Sequence, residues 1–223
     1  MEINSISSHH NLLIIGANGG IGRQCVELAL KEGHHVTALL RNPAKLNIAH
    51  PNLQIIKGDV MQPDTLERAL ENQDAVISAI GVSGGVGSDK PTVLYSQGNA
   101  NLLQAMSEKG VKRAFFISAS AVEISPVLPF YVRWAAKYIL QKLLKYMYAD
   151  LRTMEMFVKE SHSDWTIIRP PRLTDKPATG NYRTAINAFL KNALSISRAD
   201  VAHYIINNIN NAATYRGVIE IGY

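Results

Sequence analysis

The run Gly16-Ala17-Asn18-Gly19-Gly20-Ile21-Gly22 places three glycines three residues apart, directly after the apolar stretch Leu12–Ile15. A helical pattern follows at once. Only glycine lacks the Cβ that would keep another group away from the backbone. A helix start presents unbonded N–H groups and a partial positive charge to whatever sits before it. A diphosphate fits that environment. Gly16, Asn18, Gly19, Gly20, Ile21 and Gly22 therefore read as the diphosphate cradle of a dinucleotide site. The spacing is G-x-x-G-x-x-G, a variant of the general G-x-G-x-x-G fingerprint, and its strand–turn–helix context carries the reading.

The cofactor's identity rests on the end of the second apolar run. Sites for NAD usually place Asp or Glu about 20 residues past the glycines, to hold the ribose 2′-hydroxyl. Here the run ends Ala38-Leu39-Leu40-Arg41-Asn42, with Arg41 where the acid would stand. A guanidinium pairs with a 2′-phosphate through two parallel hydrogen bonds. The expected cofactor is NADP(H), preferred over NAD(H). Asp59 and Val60 follow the third apolar run, and Ile80 and Gly81 the fourth. Carboxyl ends of parallel strands border the ligand crevice in open α/β sheets. Asp59 suits either the adenine amino group or the start of the helix near Pro63, and the sequence leaves both open. Gly81 would let backbone approach the cofactor ribose.

The elements that must carry these residues alternate. Strands are expected at Leu12–Ile15, Val36–Leu40, Leu53–Lys57, Ala75–Ala79, Lys112–Ser118, Trp165–Ile168 and Val218–Ile221. Helices are expected at Ile21–Glu32, Pro63–Glu71, Thr92–Lys109, Leu151–Ser161 and Arg198–Asn211. Strands of unbroken Val, Ile, Leu and Phe suit a parallel sheet covered on both faces. The fold class is α/β: a Rossmann-type doubly wound sheet with helices on both faces. The chain of 223 residues, 47% hydrophobic and 18% charged, reads as a single domain over 1–223. Its substrate-side elements lie mainly within 120–200. One cysteine excludes an internal disulfide, and no uncharged run reaches the length of a membrane span. The polar start has no signal-peptide core, so a cytoplasmic location is expected. A net charge of +5 is too mild to point to nucleic acid. The apolar and basic stretch Pro126–Asp150 reads as a core-packed helix with its charged side in water, in preference to a basic amphipathic helix lying on a membrane surface or a partner. The seven histidines form no metal-ligand spacing, so no metal site is expected.

The chain resembles the atypical short-chain dehydrogenase/reductases, in the NmrA-like, NAD(P)H-binding branch, and within it the biliverdin and flavin reductases. The resemblance rests on the glycine run, Val36–Arg41, Gly58-Asp59-Val60, Gln73–Ile77, Gly110–Arg113, Pro170-Pro171 and Thr179–Tyr182, spread over nearly the whole chain. It implies a Rossmann domain that binds NADPH. It also implies that Pro170 lies beside the nicotinamide, with Pro171 and Arg172 toward the substrate. In the flavin reductase branch a small planar acceptor stacks on the nicotinamide and takes hydride directly. The implied activity is hydride transfer to a flavin, quinone or similar planar acceptor. The alternative is an NmrA-like sensor that binds NADP(H) without turnover and reports to a protein partner.

The wider superfamily uses a Ser with Tyr-x-x-x-Lys, in which Tyr donates a proton and Lys lowers its pKa. Candidates here are Ser118 or Ser120 with Tyr138 and Lys142. Family spacing puts Ala119 at the serine's place. Tyr138 and Lys142 also fall off the apolar stripe of their own segment, which favours a surface position.

Overall fold

The first strand, β1 (Asn11–Ile15), is buried from Leu12 onward and lies between two parallel neighbours. On one side is β2 (His35–Leu40), followed outward by β3 (Leu53–Lys57). On the other is β4 (Ala75–Ser78), then β5 (Arg113–Ile117) and β6 (Asp164–Arg169). The last strand, β10 (Gly217–Gly222), pairs parallel to β6 and antiparallel to β8 (Arg183–Ile186). The resulting order is β3-β2-β1-β4-β5-β6-β10-β8. The chain reverses direction across the sheet between β1 and β4, and in such sheets ligands bind at that switch point, outside the carboxyl ends of the strands. These statements come from a computed structural model that describes residues 9–81, 91–124, 126–127, 130–135, 138–139 and 141–223.

Two cores explain the order. Helices α1 (Gly20–Lys31) and α7 (Arg198–Asn207) cover one face, with Ile14, Ile77, Phe115 and Ile219 beneath them. Helices α2 (Pro63–Ala69), α3 (Leu94–Lys109) and α6 (Lys145–Glu160) cover the other, over Leu13, Val76, Phe116 and Ile167. Neighbouring strand residues alternate between the two cores, so each central strand is apolar throughout. The edge strand β3 departs from the expectation of strands buried on both faces. None of its residues is buried, and Gln54, Ile55 and Lys57 are exposed, because among the described residues no further strand pairs with this edge. Arg113, buried at the opposite end of the sheet, donates to Ile209 O, Asp164 O, Asn208 O and the hydroxyls of Thr166 and Thr214. It is structural glue between β5 and the last turn of the chain.

The regular first half follows the sequence reading to within two residues at each boundary. The second half differs more. Strands β7 (Arg172–Thr174) and β9 (Ser195–Ser197) form a separate two-stranded parallel sheet that no periodicity announced. The expected single helix across Pro126–Asp150 is broken: α4 (Phe130–Ala135) and α5 (Gln141–Leu143) precede α6, which begins at Lys145. The expected core packing of this stretch is corrected as well. Ile139 is 57% exposed and Leu143 48%, and only Leu144 and Met147 of the described stripe touch the core. The side chains of Val132 and Ala135, and residues Ala136 and Leu140, lie outside the described residues.

Candidate functional site

Gly16 leaves β1 with φ +79°, a left-handed conformation that a side chain would strain. A Cβ there would strike the Ala79 carbonyl, at the end of the adjacent strand β4. A Cβ on Gly22 would strike the Gly16 carbonyl. Strand end, turn and helix start are thus in backbone contact, which no other residue type allows. The turn closes through Gly19 N–H to Gly16 O at 2.8 Å. Gly19 is the cap of α1, and no side chain bonds the helix start. Asn18, Gly19 and Gly20 are exposed there. Ile21 faces the core, so its contribution to a ligand is through backbone alone.

Arg41 is exposed at the carboxyl end of β2. The Asn18 side chain donates to Asn42 O at 3.2 Å and ties the glycine turn to that strand end. Asp59 is half-buried beyond β3, where its Oδ1 accepts from Met61 N–H at 3.0 Å. One carboxylate oxygen is thus engaged in its own loop, and Asp59 meets the α2 start through its backbone, whose O accepts from Gln62 N–H and from Thr65 Oγ1, both at 2.9 Å. Val60 is buried against Gly98 of α3. Ile80 is half-buried and Gly81 exposed, with nothing close to where a Cβ on Gly81 would stand. Pro170 is buried at the end of β6, while Pro171 is half-buried and Arg172 exposed. The glycine turn, Arg41, Asp59, Gly81 and Pro170 therefore line up along the carboxyl edge of the sheet.

Arg198 was not foreseen. Its side chain lies directly against Gly20, the first residue of α1, and its Nη1 pairs with Asp175 Oδ1 at 2.7 Å. A cation beside a helix N-terminus is unfavourable unless an anion shares the space. Arg198 begins α7, whose cap Ser197 accepts from Asp200 N–H at 2.9 Å. Asp200 is fully buried and accepts from Thr179 N–H and Gly180 N–H at 2.8 Å, from Ser197 Oγ at 2.9 Å and from Tyr223 Oη at 2.5 Å. Burial alone would raise its carboxyl, but these donors, led by Tyr223, hold it below the ordinary carboxylate range.

The catalytic candidates separate. Ser118 is buried past the end of β5 and donates through Oγ to Glu155 Oε1 at 2.7 Å. Glu155 is itself locked to Arg169, from Nε at 2.9 Å and Nη2 at 2.6 Å. Arg169 also reaches Glu123 at 2.9 Å, and Lys159 reaches Glu155 at 3.2 Å. Burial works to raise Glu155, yet the Arg169 hydrogen bonds and charge outweigh it and leave the carboxyl below its ordinary value. Glu220 of β10 lies 4.0 Å from the Arg169 guanidinium and has its Oε1 buried without a hydrogen-bond partner. Burial pushes it up to about 7, with Arg169 opposing and Glu123 and Glu155 adding. Ser120 sits in a short turn and bonds Pro170 O through its N–H at 3.0 Å, which leaves its hydroxyl to other uses. Tyr138 is 54% exposed beside Trp134, ring centres 5.6 Å apart, and Lys142 is exposed. Ser118 is thus drawn into a buried ion cluster, whereas Tyr138 and Lys142 sit on a surface. Among the described residues, no group of three His, Cys, Asp or Glu is placed to hold a metal ion.

A cleft of about 420 Å³ opens beside this cluster, between Val122, Glu123, Arg152, Glu155, Lys159 and Arg169. Its charges are largely paired with each other. The family resemblance puts Asp150, Arg152 and Glu155 near the substrate pocket, with a surface position equally open to them, but nothing in the sequence joined Glu155 to Arg169, although one signal was present. Glu155 falls on the same helix face as Leu151 and Val158, and an acid on an apolar stripe requires a buried partner.

Comparison with known proteins agrees with this geometry. A family model described as NAD(P)H-binding matches residues 16–212. A Bacillus subtilis protein described as the uncharacterized sugar epimerase YhfK is 28% identical, over 94% of this chain and 92% of its own. A short-chain dehydrogenase/reductase of Veillonella parvula, solved in complex with NADP, superposes with a TM-score of 0.77. It is 20% identical and covers 96% of this chain and 95% of its own. ChuY, an anaerobillin reductase from Escherichia coli O157:H7, superposes with a TM-score of 0.74 at 22% identity, over 95% and 96% of the two chains. At such identities these two structures establish the fold.

Proposed function

The chain belongs to the NAD(P)H-binding family, and on that premise we propose that it is an NADPH-dependent reductase of a flavin, quinone or similar planar acceptor. The nicotinamide, when bound, supplies the hydride. The chain's own residues hold and orient. Gly16, Gly19 and Gly20 offer the diphosphate a surface without side chains, with the α1 N–H groups behind it. Arg198 lies at the same helix start and supplies a counter-charge. On this reading Arg41, exposed at the end of β2, pairs with the 2′-phosphate, and the remaining Asp59 oxygen accepts from the adenine amino group. Pro170 and Gly81 border the nicotinamide end, with Pro171 and Arg172 on the acceptor side.

The observation that carries the reductase reading is the exposure of Tyr138, at 54%, and of Lys142. A Ser–Tyr–Lys proton relay needs a serine, whether Ser118 or Ser120, and a tyrosine in one enclosed site. Here Tyr138 and Lys142 are exposed. Hydride transfer to an aromatic acceptor stacked on the nicotinamide needs no such relay, because the acceptor ring takes up its proton from solvent. ChuY, a reductase of similar fold, supports the reading, and the sugar-epimerase name of the Bacillus relative supports the carbonyl chemistry set against it. The test is steady-state NADPH oxidation with FMN and with a water-soluble quinone, in the wild type and in Tyr138→Phe. Turnover that survives Tyr138→Phe is expected. Turnover of a carbonyl substrate abolished by Tyr138→Phe would assign the relay chemistry instead, and tight NADP(H) binding with no turnover of any acceptor would assign a sensor.

A further inference from the structure

We propose that the exposed side chains of Phe130, Tyr131, Trp134, Ile139 and Leu143, with the basic Arg133, Lys142 and Lys145, form a docking surface for an anionic lipid membrane. Phe130 is 82% exposed, Tyr131 63%, Trp134 59% and Ile139 57%, and Tyr138 and Leu143 are exposed beside them. Phe130 and Tyr131 meet edge to face at 5.7 Å, and Trp134 stacks toward Tyr138. Soluble proteins rarely leave a cluster of this kind in water unless something covers it. Among the described residues, Phe130, Tyr131, Trp134, Ile139 and Leu143 belong to neither core.

Charge identifies the occupant. Between Glu123 and Asp150 the sequence holds no acid, while Arg133, Lys137, Lys142 and Lys145 lie within it. Of these, Arg133, Lys142 and Lys145 are described and exposed. A second copy seated on this face would meet the same positive charge, because a two-fold interface brings a patch against itself. Lysine is also depleted at protein interface cores. A lipid surface rich in phosphate answers both features at once. Tryptophan and tyrosine settle at the headgroup level, phenylalanine and isoleucine reach the acyl boundary, and Lys and Arg pair with phosphates. The segment joins β5 to α6, and both flank the Ser118 end of the sheet, so a docked molecule would present that end of its crevice toward the bilayer.

The protein has an internal reporter for the test. It holds two tryptophans, and Trp165 is only 6% exposed, so a change in emission on binding vesicles comes from Trp134. The full chain is mixed with vesicles of phosphatidylcholine alone or with about 30 mol% phosphatidylglycerol. Partition is read by flotation and by Trp emission, and oligomeric state by sedimentation without lipid. Expected are flotation and a blue shift with phosphatidylglycerol only, both weakened when salt rises from about 0.1 M to about 1 M and the screening length shrinks to about 3 Å. Arg133→Gln with Lys145→Gln should lower partition by about 25-fold, at about fivefold for each charge removed. NADP⁺ affinity, unchanged in this double variant, reports that it is folded. Absence of flotation with anionic vesicles would overturn the proposal. So would a lipid-free dimer that already blue-shifts Trp134, which would assign the face to a second copy. Neither outcome bears on cofactor or acceptor, which are measured separately.

Discussion

At the scale of single residues, the site is defined by what two glycines lack and one arginine adds. A methyl at position 22 meets the Gly16 carbonyl, so Gly22→Ala should displace the β1–α1 turn from the strand end it packs against. The expected cost is about 1–3 kcal/mol of stability, with a larger loss of NADP(H) affinity, read by thermal melts with and without cofactor. Arg41→Ala removes a charge-assisted pair from the 2′-phosphate. NADPH should then bind about 10- to 100-fold more weakly while NADH binding stays as it was, measured by titration of protein fluorescence. Both positions were legible in the sequence as the turn after β1 and the end of β2, where the structure has them. Arg198 was not. It reaches Gly20 only because α7 packs beside α1, a relation that no local pattern records.

The elements were legible where the chain repeats a strand and a helix in turn, since periodicity and caps mark each boundary. Gly110, at φ +73°, ends α3 where a left-handed residue is required, and the sequence announced it. The two-stranded sheet of β7 and β9 was not announced, because three-residue strands carry no period and are fixed by what they pack on. Asp200 is the residue that fixes this region. It joins the start of α7, the Thr179–Gly180 turn and the C-terminal Tyr223 through one buried carboxylate. Asp200→Asn replaces a multiply bonded anion with an amide that must turn two of its own N–H donors toward other donors. We expect a loss of about 3 kcal/mol or more by urea unfolding, because breaking a buried charged network strands the groups that remain. The same change should weaken NADP(H) binding, since α7 positions Arg198. The broken helices between β5 and α6 show the converse. Their apolar pattern was plain, yet pattern alone did not tell core from a surface awaiting a partner.

For the whole molecule, the buried carboxyls set how stability follows pH. Asp200 and Glu155 are held below their unfolded values, so their contribution is present above the unfolded pKa of about 4 and is lost as pH falls through the folded values. Glu220 acts in the opposite sense. Its folded value is raised to about 7, so between the unfolded value and 7 the folded state holds a proton the unfolded state lacks. Stability therefore falls as pH rises across that window, and is lowest from this source above 7. Together these groups predict a maximum in mildly acid solution. Glu220→Gln keeps the shape without the titration, so its melting temperature should lose the fall that the wild type shows as pH rises from about 5 to 8, and exceed the wild type at the upper end. A variant that instead melts lower across that range would show that the charge on Glu220 stabilises the Arg169 cluster. The fold that carries all this, a parallel sheet reversing at β1 and β4, was legible from the order of elements. The ion cluster on Arg169 was not, because its members come from four separate elements. The claim on which the account turns is hydride transfer from NADPH to a planar acceptor. It is tested most directly by an anaerobic single turnover, in which protein carrying one equivalent of NADPH is mixed with FMN or a quinone. The account predicts loss of reduced nicotinamide matched one for one by reduced acceptor, faster with NADPH than with NADH. Reduced nicotinamide that stays bound and unoxidised with every planar acceptor would contradict it.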